Sequence, residues 1–166
     1  MLSKSPVKTK SALNVPPHAF KKRWVWLFVV LTCTGIGWFA WAGTKDIQQP
    51  HAGLGSRVIQ LELARTPEQQ SNGLSKRQSL AYNEGMFFMY DTAGYRCFWM
   101  KDMQFPIDII WITAAQTIAH IDADVSPQTY PKKYCAHSQY VLEVPAGTAA
   151  ASGAGPGQKV RLTNIE

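Results

Sequence analysis

No acidic residue precedes Asp46, whereas six bases, Lys4, Lys8, Lys10, Lys21, Lys22 and Arg23, stand before residue 24. The other eleven bases face all eleven acids, so the formal net charge of +6 belongs to the start of the chain and not to its bulk. A balanced body has no field with which to gather a polyanion, and nucleic acid is excluded as an expected partner. Three cysteines in 166 residues are too few for a disulfide-built scaffold. There is no phosphate-binding glycine loop, no histidine pair at zinc spacing, no Gly-x-Ser-x-Gly elbow and no internal repeat. The familiar nucleotide, zinc and serine-hydrolase signatures are therefore missing, and neither a cofactor nor a metal is expected.

What is present first is one hydrophobic run. Residues 24–43, WVWLFVVLTCTGIGWFAWAG, carry no charge. At about 1.5 Å per helical residue they match a hydrocarbon core of roughly 30 Å. Lys21, Lys22 and Arg23 abut its start, which orients residues 1–23 as a basic cytoplasmic tail. Trp24, Trp26, Trp38 and Trp41 lie near the two ends, where indoles prefer the headgroup region. The lipid bilayer is thus the first expected partner, and everything after residue 43 is placed outside the cell membrane. A cleavable signal peptide competes with the retained anchor, because Ala40-Trp41-Ala42 fits a small-x-small cut site. Both readings export the rest of the chain.

Residues 44–55, with Gln48, Gln49, Pro50, Gly53 and Gly55, have linker composition, and an exported domain is expected over 56–166. Alternation across 58–64 predicts a strand with one apolar face. Thr66, Pro67 and Gln69 form a capping box with proline at the first helical position, and Gly73 ends that helix. Further strands are expected at 86–90, 96–100, 107–113, 117–123, 140–144 and 159–163, and a short alanine-rich helix at 146–152. The expected fold is α+β: about seven antiparallel strands curling toward a barrel, with two short helices, after an N-terminal transmembrane helix.

Several segments together resemble a known family. They are Gly73-Leu74 with Arg77 and Leu80, Glu84 to Phe88, Phe98 to Met103 leading to Pro106 to Ile109, and Tyr140 to Gly147. Over roughly residues 57–162 the chain resembles the bacterial and archaeal domain of unknown function 192. That resemblance implies a compact β-rich α+β domain, often exported, with no agreed activity, substrate or cofactor. Ser75 and Gln158 depart from the family, which usually has methionine and an acidic residue there.

Five residues form the expected pocket: Trp99, Lys101, Asp102, Asp108 and Arg77. Asp108 shares a strand face with Ile110 and Ile112, an expensive place for a carboxylate unless it is hydrogen-bonded or paired. One reading is structural, with Asp108 accepting backbone N–H groups or pairing with Arg77, Arg96 or Lys101. The other makes Asp102 and Asp108, with Glu84, pocket groups for acid–base chemistry or ligand binding. His120, Asp122 and Asp124 share a second strand face as metal-type ligands, but i and i+4 on a strand stand about 13 Å apart. A solvated outer face is the plainer account. Met86, Met89, Met100 and Met103 cluster with aromatics and read as core packing rather than copper ligands. Cys97 and Cys135, the two cysteines of the exported part, are expected to form a disulfide, with a reactive Cys135 beside His137 as the competing reading.

The function these residues point to is a membrane-anchored, extracytoplasmic ligand-binding or accessory module. A hydrolase or other enzyme using Asp102 and Asp108, with or without a metal, and a structural envelope protein are the alternatives.

Overall fold

The computed structural model describes residues 49–165, and the basic tail and the hydrophobic run lie outside those residues. Among the described residues no helix is long and apolar enough to cross a membrane.

The elements in chain order are β1 (His51–Leu54), β2 (Arg57–Ala64), α1 (Pro67–Asn72), β3 (Glu84–Trp99), β4 (Ile107–Ile112), β5 (Ile118–Val125), a 3-10 turn (Pro127–Thr129), β6 (Lys133–Pro145), α2 (Thr148–Ser152) and β7 (Arg161–Thr163). The seven strands form one sheet in the order β5-β4-β6-β3-β2-β1-β7. Its two edges approach each other where Thr117 bridges Lys159, with Ile118 N donating to Gln158 O at 2.8 Å and Val160 N to Gln116 O at 2.8 Å. The result is a half-barrel, the β-rich fold with two short helices that the sequence predicts.

Three details differ from expectation. The stretch read as linker contains β1, which pairs with β2 through the two-residue turn Gly55-Ser56. Gly55 has φ +54, and a Cβ there would lie 2.1 Å from Ser152 O, so the tight turn and its close approach to α2 both require glycine. The strands expected at 86–90 and 96–100 are one long β3, whose pairing with β6 shifts register between Met89 and Gly94. Asp91 to Gly94 carries turn-type residues yet forms a bulge rather than a turn. The sheet is also not wholly antiparallel, since β2 and β3 run parallel from Gln60 opposite Glu84 to Ala64 opposite Phe88. A crossover containing α1 joins them, as a parallel pair demands.

The helix start is as the sequence predicts. Thr66 Oγ1 accepts from Gln69 N at 3.2 Å, the Gln69 side chain accepts from Thr66 N at 3.0 Å, and Gly73 caps the C-terminus. Both faces of the central strands are covered, so β4 is buried at every position. One apolar cluster, including Ile59, Phe87, Ile110 and Leu142, fills the face toward α2. A second, including Leu74, Phe88, Ile109 and Trp111, fills the other. Met86 and Met100 are buried in this second cluster and Met103 packs against it, which is the core role read from the sequence.

Candidate functional site

β3 and β6 run on beyond their bulge as a paired arm, with Cys97 opposite Cys135 and Trp99 opposite Lys133. The two cysteines are joined by a disulfide across the arm. Cys135 is therefore no free nucleophile, and the reactive-thiol reading is set aside. On one side of this arm the C-terminal end of α1 and the turn that follows it face the loop after β3. Lys76 N donates to Asp102 O at 2.9 Å, and both residues are left-handed, at φ 65 and φ 57. Non-glycine residues held there cost on the order of 1 kcal/mol each, and such strain gathers at functional rims.

Between these walls lies a cavity of about 400 Å³. Gln70 to Lys76 form one wall, Phe88, Tyr90 and Cys97 to Trp99 the other, and Lys101 to Met103 the rim. Phe98 packs edge-on against Phe88 at 4.8 Å and against Trp111 at 5.5 Å, so the aromatic wall is anchored in the core. Trp99 is half exposed, with the Lys133 ammonium 5.1 Å from its ring centre. The structure thus brings together Trp99, Lys101 and Asp102 of the five residues expected in a pocket.

The other two lie elsewhere. Asp108 is fully buried, and its oxygens accept from Asp124 N at 2.9 Å, Gly147 N at 3.2 Å and Ala149 N at 2.9 Å. It ties β4 to β5 and to the start of α2, the structural alternative that the sequence left open, and it does not line the cavity. Arg77 lines a separate, shallower depression with Gln60, Glu62 and Glu84. There its guanidinium donates to Glu62 Oε1 at 2.6 Å, and that bond raises its pKa. On β5, Asp122 accepts from the Trp111 indole at 2.7 Å and lies 3.3 Å from His120 Nε2, so its role is partly to satisfy a buried ring.

The residue that sequence reasoning missed as a site group is Glu143. It sits near the C-terminal end of β6, is 6% exposed, and lines the cavity. Its cross-strand neighbours are Met86 on β3 and Ile109 on β4, neither of which offers a side-chain donor. Burial pushes its pKa up from 4.5 to about 8, so at neutral pH it is mostly the uncharged acid. Burial raises the pKa of Tyr90 on the cavity wall, the Arg96 guanidinium over its ring opposes that rise, and the charge of Glu143 adds a smaller one. The signal was present in the sequence. In Tyr140-Val141-Leu142-Glu143-Val144, alternation puts Glu143 on the same face as the buried Val141, the reasoning that singled out Asp108.

The match to the DUF192 model, described as "Uncharacterized ACR", spans residues 50–162, and the chain belongs to this family. Two solved structures are similar to it. One is a "putative transcription regulator" from Sinorhizobium meliloti 1021, with TM-score 0.64, 26% identity, and coverage of 72% of this chain and 99% of that one. The other is a protein of unknown function from Novosphingobium aromaticivorans DSM 12444, with TM-score 0.63, 32% identity, and coverage of 68% of this chain and 83% of that one. No curated protein sequence matches significantly.

Proposed function

We propose that the protein is a membrane-anchored, extracytoplasmic module that binds a small ligand in the cavity above Glu143. The observation that carries this reading is the Glu143 carboxyl group, which has no hydrogen-bond partner among the described residues and lines an open cavity with one aromatic wall. A carboxyl group that lines a concave site and is not spent on bonds within the described fold is placed to bond what enters the site. A volume of about 400 Å³ falls within the range of small-molecule sites. The anchor and the export rest on the hydrophobic run 24–43 and its flanking bases.

The binding reading is preferred to an enzyme using Asp102 and Asp108. Asp108 spends its oxygens on three backbone amides, and no nucleophile or base is hydrogen-bonded to Glu143 among the described residues. The description of the Sinorhizobium protein as a regulator finds no support in charge here, since eleven bases face eleven acids from residue 44 onward.

The test is a small-molecule screen on the full chain in detergent, read by melting temperature and native mass spectrometry. A ligand at 100 times its Kd adds about 2.7 kcal/mol to stability. The expected hit stabilises the parent protein and loses most of that effect in Trp99→Ala. Hits that stabilise this variant as fully as the parent would place the ligand elsewhere and end the proposal. Location is tested separately: protease added to bacterial spheroplasts should digest the domain and spare an N-terminal tag.

A further inference from the structure

Resting on that reading of the cavity, the geometry points to a small organic monoammonium ion as the ligand, its N–H groups bound by the Glu143 carboxylate and its carbon body against Phe88, Phe98 and Trp99.

Among the described residues the carboxyl group has no hydrogen-bond partner. Met86 and Ile109 flank it across the sheet, and no described cation is paired with it to offset the cost of ionising it. The titratable groups lining the cavity are Tyr90 on β3, Lys76 after α1, and Lys101 and Asp102 on the rim, the last three exposed, while Arg96 lies over the Tyr90 ring at 4.0 Å and Lys133 over the Trp99 ring at 5.1 Å. The carboxyl oxygens are therefore left to whatever enters the cavity, water or a ligand that displaces it.

Ligands of different charge fare differently there. An anion meets a group that repels it once ionised, and the lysines that would attract it stand exposed at the rim. A neutral alcohol or sugar can bond to the protonated acid, but only through a neutral hydrogen bond. A cation exchanges for the proton and forms a charge-assisted hydrogen bond, which is roughly twice as strong as a neutral one. Ionising Glu143 at pH 7, about one unit below its pKa near 8, costs only about tenfold in affinity. The rings add to the preference, since a desolvated cation is attracted to aromatic faces.

The exchange balances simply. R–NH3+ enters with its charge, the Glu143 carboxylic acid gives its proton to solvent, and an ammonium–carboxylate pair remains. Lys76 and Lys101 against the single charge of Asp102 leave the rim cationic, which opposes an ammonium at the rim, so only one paired with Glu143 below it is held and a second on the same ligand is disfavoured.

Isothermal titration of the full chain in detergent tests this, using n-butylamine, 1,4-diaminobutane, n-butanol and butyrate as probes in two buffers of different ionisation enthalpy. Butylamine is expected to bind at millimolar concentration or better, releasing close to one proton per site at pH 7. Its affinity should rise nearly tenfold per pH unit up to about pH 8 and then level off. The diamine should bind more weakly, and Glu143→Gln should weaken butylamine at least tenfold and abolish proton release. Proton release by the parent protein is decisive even if that variant folds poorly. If butanol or butyrate binds and butylamine does not, the ammonium assignment falls while the binding module stands. If neither these probes nor the broad screen shifts the melting temperature, both fall together.

Discussion

Asp108 Oδ2 accepts a hydrogen bond of 2.9 Å from Ala149 N, joining the centre of the sheet to the first turn of α2 inside the core. The other oxygen takes two more amides, from Asp124 and Gly147. Removing the carboxylate leaves three N–H groups without an acceptor, two of them part-buried and one buried. Each such loss costs about 1–3 kcal/mol, not fully additively. Asp108→Ala is therefore expected to destabilise the domain by roughly 3–5 kcal/mol in urea unfolding. Asp108→Asn should cost less but still measurably, because its amide nitrogen turns donors toward donors. A fully stable Asp108→Asn protein would remove Asp108 from this structural role.

Glu143 gives the fold an unusual pH dependence. Its native pKa of about 8 lies above the 4.5 of the exposed group, so between these values the native state keeps a proton that the unfolded chain has lost. Stability from this group is full below about pH 4.5 and falls as pH rises toward 8. Glu143→Gln removes the penalty. It is expected to stabilise the protein by on the order of 3 kcal/mol at pH 7, with the gain shrinking to nothing near pH 4.5. Chemical unfolding of both proteins at pH 5 and pH 8 checks the sign. A gain that does not grow with pH contradicts the assignment.

Much of this domain was legible in the sequence because its signals are local. Thr66, Pro67, Gln69 and Gly73 specify α1 without help from the rest of the chain. The uninterrupted apolar run around Ile109 to Ile112 marks a strand covered on both sides. What escaped depends on partners far along the chain. β1 is only four residues with a glycine in it, and it is a strand because β2 and β7 flank it. The parallel pairing of β2 and β3 leaves no mark in either strand's pattern. Asp108 does not join Trp99 and Asp102 at the cavity because nearness along the chain is not nearness in space. Pro106 and the start of β4 carry Asp108 into the core while Asp102 stays on the rim. Glu143 was passed over although the same face argument applied to it.

The disulfide closes the loop from Cys97 to Cys135, a sequence separation of 38. On the chain-entropy estimate such a closure is worth about 4 kcal/mol. The double variant Cys97→Ser with Cys135→Ser is expected to lose a large part of that in urea unfolding. Because Cys97 also lines the cavity, ligand affinity should fall with it as the arm loosens. The intact protein should weigh two mass units less than its fully reduced form, which mass spectrometry before and after reduction checks.

Arg77 separates the two surface depressions by function. Its bond to Glu62 is short, but both side chains are substantially exposed, at 36% and 55%, and solvent screens the pair. Exposed ion pairs contribute about 0–1 kcal/mol, so Arg77→Ala should shift stability by no more than that. The guanidinium lies with Gln60, Glu62 and Glu84 and not with Trp99 and Lys101, so ligand affinity in the Glu143 cavity should stay unchanged. Lys101→Ala, measured in the same titration, should raise butylamine affinity by taking a like charge off the rim. If the order is reversed, with Arg77→Ala abolishing binding and Lys101→Ala leaving it intact, the ligand sits in the shallower depression. The unpartnered carboxyl of Glu143 would then have no part in holding it.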